Sequence, residues 1–325
     1  MVCEEIVLEC EGRLSHSIEP STCKGPLPDE VLEKYIRAGK IAARVREEAK
    51  RIVREGMKLL EICETIENMI RDLGGSPAFP CNISVNEVAA HYTSPPNDAR
   101  VIPEGALVKV DVGVHIDGYI ADTAATICFS PEYEDMIHAA ERALEAALRI
   151  MRPGLMISRV SSEIQSVIER YGFKPISNLS GHEIGRYMIH AGKSIPNVSH
   201  LSIERIRSGG VYAIEPFITF KDAAGRVEDG PEKYIFRLVK TKTALKSANA
   251  KSLLRFIEEN FRTLPFAERW LKKRYASESY KTALSELLSS KCLMAYPVFI
   301  EVSRRPVAQA EHTVYVGERD IIILT

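Results

Sequence analysis

KVDVGVHIDGYIAD, residues 109–122, is the stretch from which the rest of the chain can be read. Two short alternating runs flank Asp117-Gly118, a dipeptide suited to a two-residue hairpin turn. Side chains alternate faces along a strand, so Lys109, Asp111 and Gly113 share one face. If Ile116 pairs with Tyr119, Asp111 stands opposite Ala124 and Gly113 opposite Asp122. The two aspartates are then diagonal neighbours on one face, roughly 7 Å apart at Cα. Carboxylates held that close repel each other, and a divalent cation removes the repulsion. A solvated hairpin with surface Asp is the plainer reading; the valines and alanines flanking both residues weigh against it.

Around this hairpin the chain repeats itself. Gly56, Leu59, Ile66, Ile70, Gly74 and Pro77 recur as Gly154, Ile157, Ile164, Ile168, Gly172 and Pro175, at a constant offset of 98 residues. Each copy reads as a long helix, a Gly turn, a second helix, a Gly stop and a Pro-containing strand entry. Before the first copy, apolar positions recur at helical spacing from 31 to about 55, with Asp29 as a candidate cap. Two similar halves predict a cleft between them. Further strands are expected at 209–218, 235–241, 298–302 and 308–316. Between them, residues 242–294 carry 11 Lys plus Arg against 5 Glu and no Asp, in a helical pattern. That charge reads first as a solvated helical face, and second as a surface for an acidic partner such as ribosomal RNA.

The totals exclude several classes. A chain of 325 residues with 45% hydrophobic and 27% charged residues is ordinary for a globular protein with a substantial core. A net charge of -1 gives no global field that selects DNA or an anionic membrane. No apolar run is long enough to span a bilayer, and MVCEEIVLEC is acidic where a signal peptide is basic. Seven cysteines without CxxC pairs favour a reducing compartment over a zinc ribbon or a disulfide framework.

Three further segments offer ligands. His182 sits beside Gly181 in NLSGHEIGRYMIH, Glu215 in the apolar VYAIEPF, and Glu311 in AQAEHTVYV. Each alone reads as a hydrogen-bonded core residue or an exposed one. An unpaired carboxylate in a buried strand is costly, so Glu215 needs a partner. The combination of Asp, Asp, His, Glu and Glu, each in an apolar strand or beside a glycine, points to a metal site.

The motifs AFPCNISVNEVAAHYTSPPND, KVDVGVHIDGYIADTA, NLSGHEIGRYMIHAGKSIPN, YAIEPF and AYPVFIEV…AQAEHT resemble type 2 methionine aminopeptidases of the M24 metallopeptidase family, the archaeal form in particular. The resemblance runs from about Leu32 to the last residue. It implies an α/β pita-bread (creatinase/aminopeptidase) fold of two pseudo-symmetric αβ halves, with a helical winged-helix-like insertion. The corresponding division is a tail at 1–28, a catalytic domain at 29–243 plus 295–325, and the insertion at 244–294. By the same resemblance Asp111 chelates one metal, Asp122 and Glu311 bridge two, and His182 and Glu215 complete the other. His91 would approach the scissile amide, His190 the substrate carbonyl, and Glu215 would also shuttle a proton. Phe79, Ile189, Phe217 and Tyr296, with His91 and His190, would line the methionine pocket. Without the resemblance these aromatic and aliphatic residues read as core.

Four carboxylates and one imidazole form a mostly hard, oxygen-rich donor set. It suits Co, Mn, Fe or Ni at least as well as Zn. Two divalent ions would balance the four negative charges and activate a shared water. The implied activity is removal of the initiator methionine from nascent polypeptides with a small second residue. The implied setting is a cytoplasmic monomer that has the ribosome as a candidate partner and binds neither DNA nor membrane. A proline-specific aminopeptidase or dipeptidase shares the fold and ligand set, but carries an N-terminal domain longer than the 28 residues found here. A non-catalytic relative that binds RNA or protein would have lost ligands, and none is missing. One departure stands out: Ala310 precedes Glu311 where the family usually has Phe.

Overall fold

The computed structural model describes residues 25–241, 243–275 and 279–325. Residues 1–24 of the expected tail lie outside that description. The first half opens with helix α1 (Asp29–Ile52), which lays Tyr35, Ala38, Ala42, Val45 and Ala49 against the core. Asp29 sits in its first turn beside Glu30, and Pro28 takes the cap position without a side-chain hydrogen bond. The acidic pair therefore acts on the helix dipole rather than as a cap.

Helix α2 (Leu59–Asp72) and helix α4 (Ile157–Arg170) begin and end 98 residues apart, the offset of the sequence repeat. Ile62, Ile66 and Ile70 of α2 are buried, as are Ile157, Ile164 and Ile168 of α4; each such side chain contributes roughly 1.5–3 kcal/mol. Gly74 and Gly172 close the two helices at φ +80° and +84°, a left-handed conformation that costs a side-chain-bearing residue about 1 kcal/mol or more. The entries match as well. Leu59 N–H donates to Arg100 O, and Ile157 N–H to Glu204 O. Helix α3 (Glu134–Ile150) packs on α4 and completes the second half.

The sheets are antiparallel throughout. In the first half Leu107–Ile116 runs between Asn82–Val85 and Tyr119–Cys128. In the second, His312–Val316 pairs Val211–Ile214, which pairs Ser180–Ile184. The apolar clusters follow this division. One gathers α1, α2 and the long hairpin, the other α3, α4 and the second sheet. A third belongs to residues 236–293, where α5 (Ala248–Asn260), α6 (Glu268–Arg274) and α7 (Ser279–Ser289) surround a three-stranded sheet of Ile235–Leu238, Phe266–Ala267 and Leu293–Tyr296. Among the described residues, no helix is long and apolar enough to cross a membrane.

The strand expected over 308–316 is two strands, Val307–Gln309 and His312–Val316, and that expected over 209–218 is also two, Val211–Ile214 and Phe217–Phe220. The breaks are level with each other. His312 pairs Ile214 on one side, and Gln309 pairs Phe217 on the other. Pro216 has no N–H to offer a ladder, so both strands change sheets here.

Candidate metal centre

The hairpin turns at Asp117 and Gly118, with φ of +52° and +88°. Ile116 stands opposite Tyr119, Asp111 opposite Ala124 and Gly113 opposite Asp122, the register read from the sequence. The second half supplies the other donors. His182 is brought in by its strand opposite Ala213. Glu215 and Glu311 occupy the paired strand breaks, where a side chain is released from ordinary alternation. Glu311 N–H donates to Ala124 O at 3.2 Å, and Thr123 Oγ1 donates to Glu311 O at 2.7 Å. Asp122 N–H donates to Thr313 Oγ1 at 2.7 Å, and that hydroxyl donates to Asp122 O. The two halves are therefore stitched together at the residues that carry the carboxylates.

His182 Nε2 lies 3.6 Å from Asp122 Oδ2 and 3.4 Å from Glu215 Oε1. Donor atoms of Asp122, His182 and Glu311 all fall within 4.8 Å of one another. Asn82 Nδ2 donates to Asp111 Oδ2 at 3.2 Å and Gln309 Nε2 to Glu311 Oε2 at 3.1 Å. Oδ1 of Asp111 and Oδ1 of Asp122 are buried with no hydrogen-bond partner, which is rare for a carboxylate oxygen. Burial pushes Asp111 up to about 7 against the Asn82 hydrogen bond. Burial, then the neighbouring carboxylates, hold Asp122, Glu215 and Glu311 well above the usual range. Burial holds His182 down to about 4, so it is neutral and supplies no charge. Lys109 shares the face of Asp111, but its buried amine donates to Val307 O at 2.6 Å and Asn86 O at 3.2 Å. Among the described residues the cluster has no cationic partner, and the ring that meets Asp122 and Glu215 is the neutral His182. Orphaned oxygens, raised carboxyl pKa values and a neutral imidazole fit a divalent cation.

The other proposed residues stand around this floor. His190 rests against His182 with ring centroids 4.4 Å apart. Its surface is open to the cleft, yet desolvation within the cleft, followed by His182 and His91, holds it well below the imidazole range. His91 follows the strand Val88–Ala90 at φ +64°, an uncommon backbone for a non-glycine residue. Its ring meets Tyr296 at 5.4 Å and Phe299 at 4.5 Å, and burial lowers it to about 4. Phe79 and Ile189 share one apolar cluster. The Phe79 ring lies so close over Gly113 that an added Cβ would come within 2.2 Å of it. Phe217, 2% exposed, belongs instead with Ala90 and Phe299 behind His91. The structure thus joins His182 to His190, Phe79 to Ile189, and His91 to Tyr296, while Phe217 lies in a cluster against which Phe299, the ring beside His91, packs. Sequence reasoning missed Asn82, Gln309, Thr313 and Phe299. Gln309 was not findable from alternation, because the strand breaks between it and Glu311.

Residues 33–253 match the metallopeptidase family M24. The methionine aminopeptidase of Methanocaldococcus jannaschii is 47% identical over 296 residues, spanning 91% of this chain and 99% of its own length. Among solved structures, a thermophilic Arx1 superposes with a TM-score of 0.78 at 19% identity, covering 92% of this chain and 91% of its own. The methionine aminopeptidase of Thermotoga maritima follows at TM-score 0.66 and 22% identity, covering 92% and 98%. The architecture is the pita-bread fold, a mixed α/β arrangement of two related halves.

Proposed function

The chain belongs to metallopeptidase family M24 and, within it, to the methionine aminopeptidases, and on that premise we propose that it is a type 2 member that removes the initiator methionine from nascent polypeptides with a small second residue. The reading is carried by one observation: four carboxylates, Asp122 and Glu311 buried and Asp111 and Glu215 half-buried, converge with one neutral imidazole, short of positive charge, where the two halves meet. Asp111, Asp122, His182, Glu215 and Glu311 would hold two divalent ions, Asp122 and Glu311 shared between them. When bound, such ions supply an activated water and Lewis-acid polarisation of the first peptide carbonyl.

The chain's own residues do the rest. The carboxylate floor favours the cationic amino end of a substrate, which confines cutting to the first peptide bond. His190, kept neutral beside His182, offers a ring N–H to the carbonyl oxygen as charge develops on it. His91, fixed by Tyr296 and Phe299, stands by the scissile amide. Glu215, at the strand break, is placed to pass a proton to the leaving amine. Phe79, Ile189, Phe217 and Tyr296 would enclose the thioether, whose sulfur contacts aromatic edges favourably. Residues 244–294 form the winged-helix-like insertion of this type, built onto the strand Ile235–Leu238. The enzyme would act as a monomer in the cytoplasm, beside the ribosome from which its substrates emerge, in a metal environment of Co, Mn, Fe, Ni or Zn.

Release of methionine from Met-Ala-Ser, compared with an Xaa-Pro dipeptide and measured with and without added Mn, tests the reading. Metal-dependent cleavage of Met-Ala-Ser alone is expected. Cleavage of the proline substrate alone selects the proline-specific class. Inertness to both, with no metal uptake, selects a binding protein on the same scaffold.

A further inference from the structure

Arg237 places a guanidinium on the face of the insertion that looks into the cleft. Ile235–Leu238 and Leu293–Tyr296 pair with Ile235 opposite Tyr296 and Arg237 opposite Met294. Phe236, Leu238 and Leu293 enter the apolar core of the insertion. Alternation therefore puts Ile235, Arg237, Met294 and Tyr296 on the other face. Tyr296 packs edge-on against His91 on that side, which makes the face a wall of the cleft. Arg237 stands one alternation beyond Tyr296, about 7 Å along the sheet.

The guanidinium is partly buried, and its recorded partner is a thioether: Nε donates to Met294 Sδ at 2.9 Å. No carboxylate pairs with it among the described residues. A guanidinium carries five N–H donors in a planar fork that matches a carboxylate. At Tyr296, on the same face of the sheet, the charge of Arg237 opposes the rise that burial causes. Arg237 thus lies on the Tyr296 side of the cleft, one alternation from the ring that packs on His91.

We infer that Arg237 binds a carboxylate of the peptide substrate downstream of the scissile bond. The carboxylate is either an acidic side chain at the third residue or the terminal carboxylate of a short peptide. The inference rests on the aminopeptidase reading: the amino end lies on the floor, the first carbonyl at His190, and the chain continues outward past Arg237.

The test uses the Mn-loaded enzyme with Met-Ala-Ala-amide, Met-Ala-Glu-amide, Met-Ala-Lys-amide and Met-Ala-Ala bearing a free carboxylate. A charge-assisted hydrogen bond predicts kcat/KM about tenfold higher for a carboxylate-bearing peptide than for the lysine peptide. The difference should sit in KM and shrink as salt rises. Comparing the glutamate amide with the free acid separates the two carboxylate sources. Arg237→Met should collapse the ratio to about one, Arg237→Glu should invert it, and Arg237→Lys should keep part of it. A wild-type ratio near one for both sources at low salt overturns the inference, and so does a ratio that survives in Arg237→Met. The wild-type comparison decides even if a variant fails to fold. Failure to cleave Met-Ala-Ala-amide would strike the aminopeptidase reading itself, so the two failures are distinguishable.

Discussion

The floor of the cleft and the wall beside it are built on opposite electrostatic plans. On the floor, four carboxylates lie together, Asp122 and Glu311 buried and Asp111 and Glu215 half-buried, with two oxygens unpartnered and a neutral imidazole beside them. In the wall, the charge of a buried arginine is paired, although its Nε has no partner. Arg269 of α6 ion-pairs with Glu67 of α2, and its Nη1 donates to Thr93 Oγ1 at 2.7 Å and Ser94 O at 3.1 Å. Glu67 in turn accepts from Trp270 Nε1 at 2.7 Å and from Cys81 N–H at 3.1 Å. That network grips the chain just after Phe79 and just after His91. Charge is left unbalanced where a ligand must enter and balanced where geometry must be held. Stability is thus given up at the site and recovered next to it.

Two substitutions should separate these plans. Asp122→Ala should abolish methionine release, by about 10³-fold or more in kcat, since it removes a charge that several kcal/mol of transition-state stabilisation rest upon. The metal-free variant should nonetheless melt no lower than metal-free wild type, because one of four mutually repelling acids is gone. Wild-type-like kcat would refute the shared-ligand role. A lower metal-free Tm would break the contrast. Arg269→Met should do the reverse. It leaves Glu67 buried without its cation and should cost about 3–5 kcal/mol of stability, read from urea unfolding, while the folded enzyme still releases methionine with a raised KM. An unfolding midpoint equal to wild type would show that the wall is not held by this pair.

The two regions were unequally legible in the sequence. Asp111 and Asp122 could be placed because alternation and a two-residue turn fix a hairpin register locally. The duplication could be read because the same Gly and Ile positions serve the same helix pair twice. Glu215 and Glu311 were findable as acids in apolar strands. Their release at a double strand break was not, because a break depends on two distant segments failing at one level, with Pro216 as the sole local sign. The wall was least legible. Arg269 and Glu67 are 202 residues apart, and a charged residue in a helical pattern reads as solvated until its partner is known. Arg237 is similar: the strand was expected, but not which of its faces meets the cleft.

A smaller effect probes how tightly the floor itself is oriented. Gln309, the last residue of its strand before the break, holds Glu311 by a hydrogen bond to Oε2. Gln309→Leu keeps the volume and removes the donor. Loss of such a supporting hydrogen bond should weaken metal affinity about 10–100-fold, measured by Mn titration of the metal-free protein. Unchanged affinity would mean that the strand break alone orients Glu311.

The smallest expected effect lies where floor and wall touch, at the tip of the long hairpin. His115 accepts from Gly118 N–H at Nδ1 at 3.1 Å and meets Tyr187 edge-on at 5.8 Å. The charge of Arg262, from the insertion, reaches it, and Arg262 also lies over the Tyr187 ring at 4.5 Å. Burial lowers His115 from 6.5 to about 4, Asp117 opposes the shift and Arg262 adds to it. The folded protein therefore prefers the neutral ring, and the unfolded chain binds the extra proton between these values. The stability that His115 contributes is present above pH 6.5 and is lost as pH falls toward 4. Solvent still reaches the ring, so the change across that window should be on the order of 1 kcal/mol. His115→Asn retains an acceptor for Gly118 and cannot titrate. The difference in stability between the two proteins should drift in favour of the variant as pH falls from 6.5 to 4. A pH-independent difference would show that the hairpin tip meets the insertion without an electrostatic constraint, and that the floor and wall are coupled by packing alone.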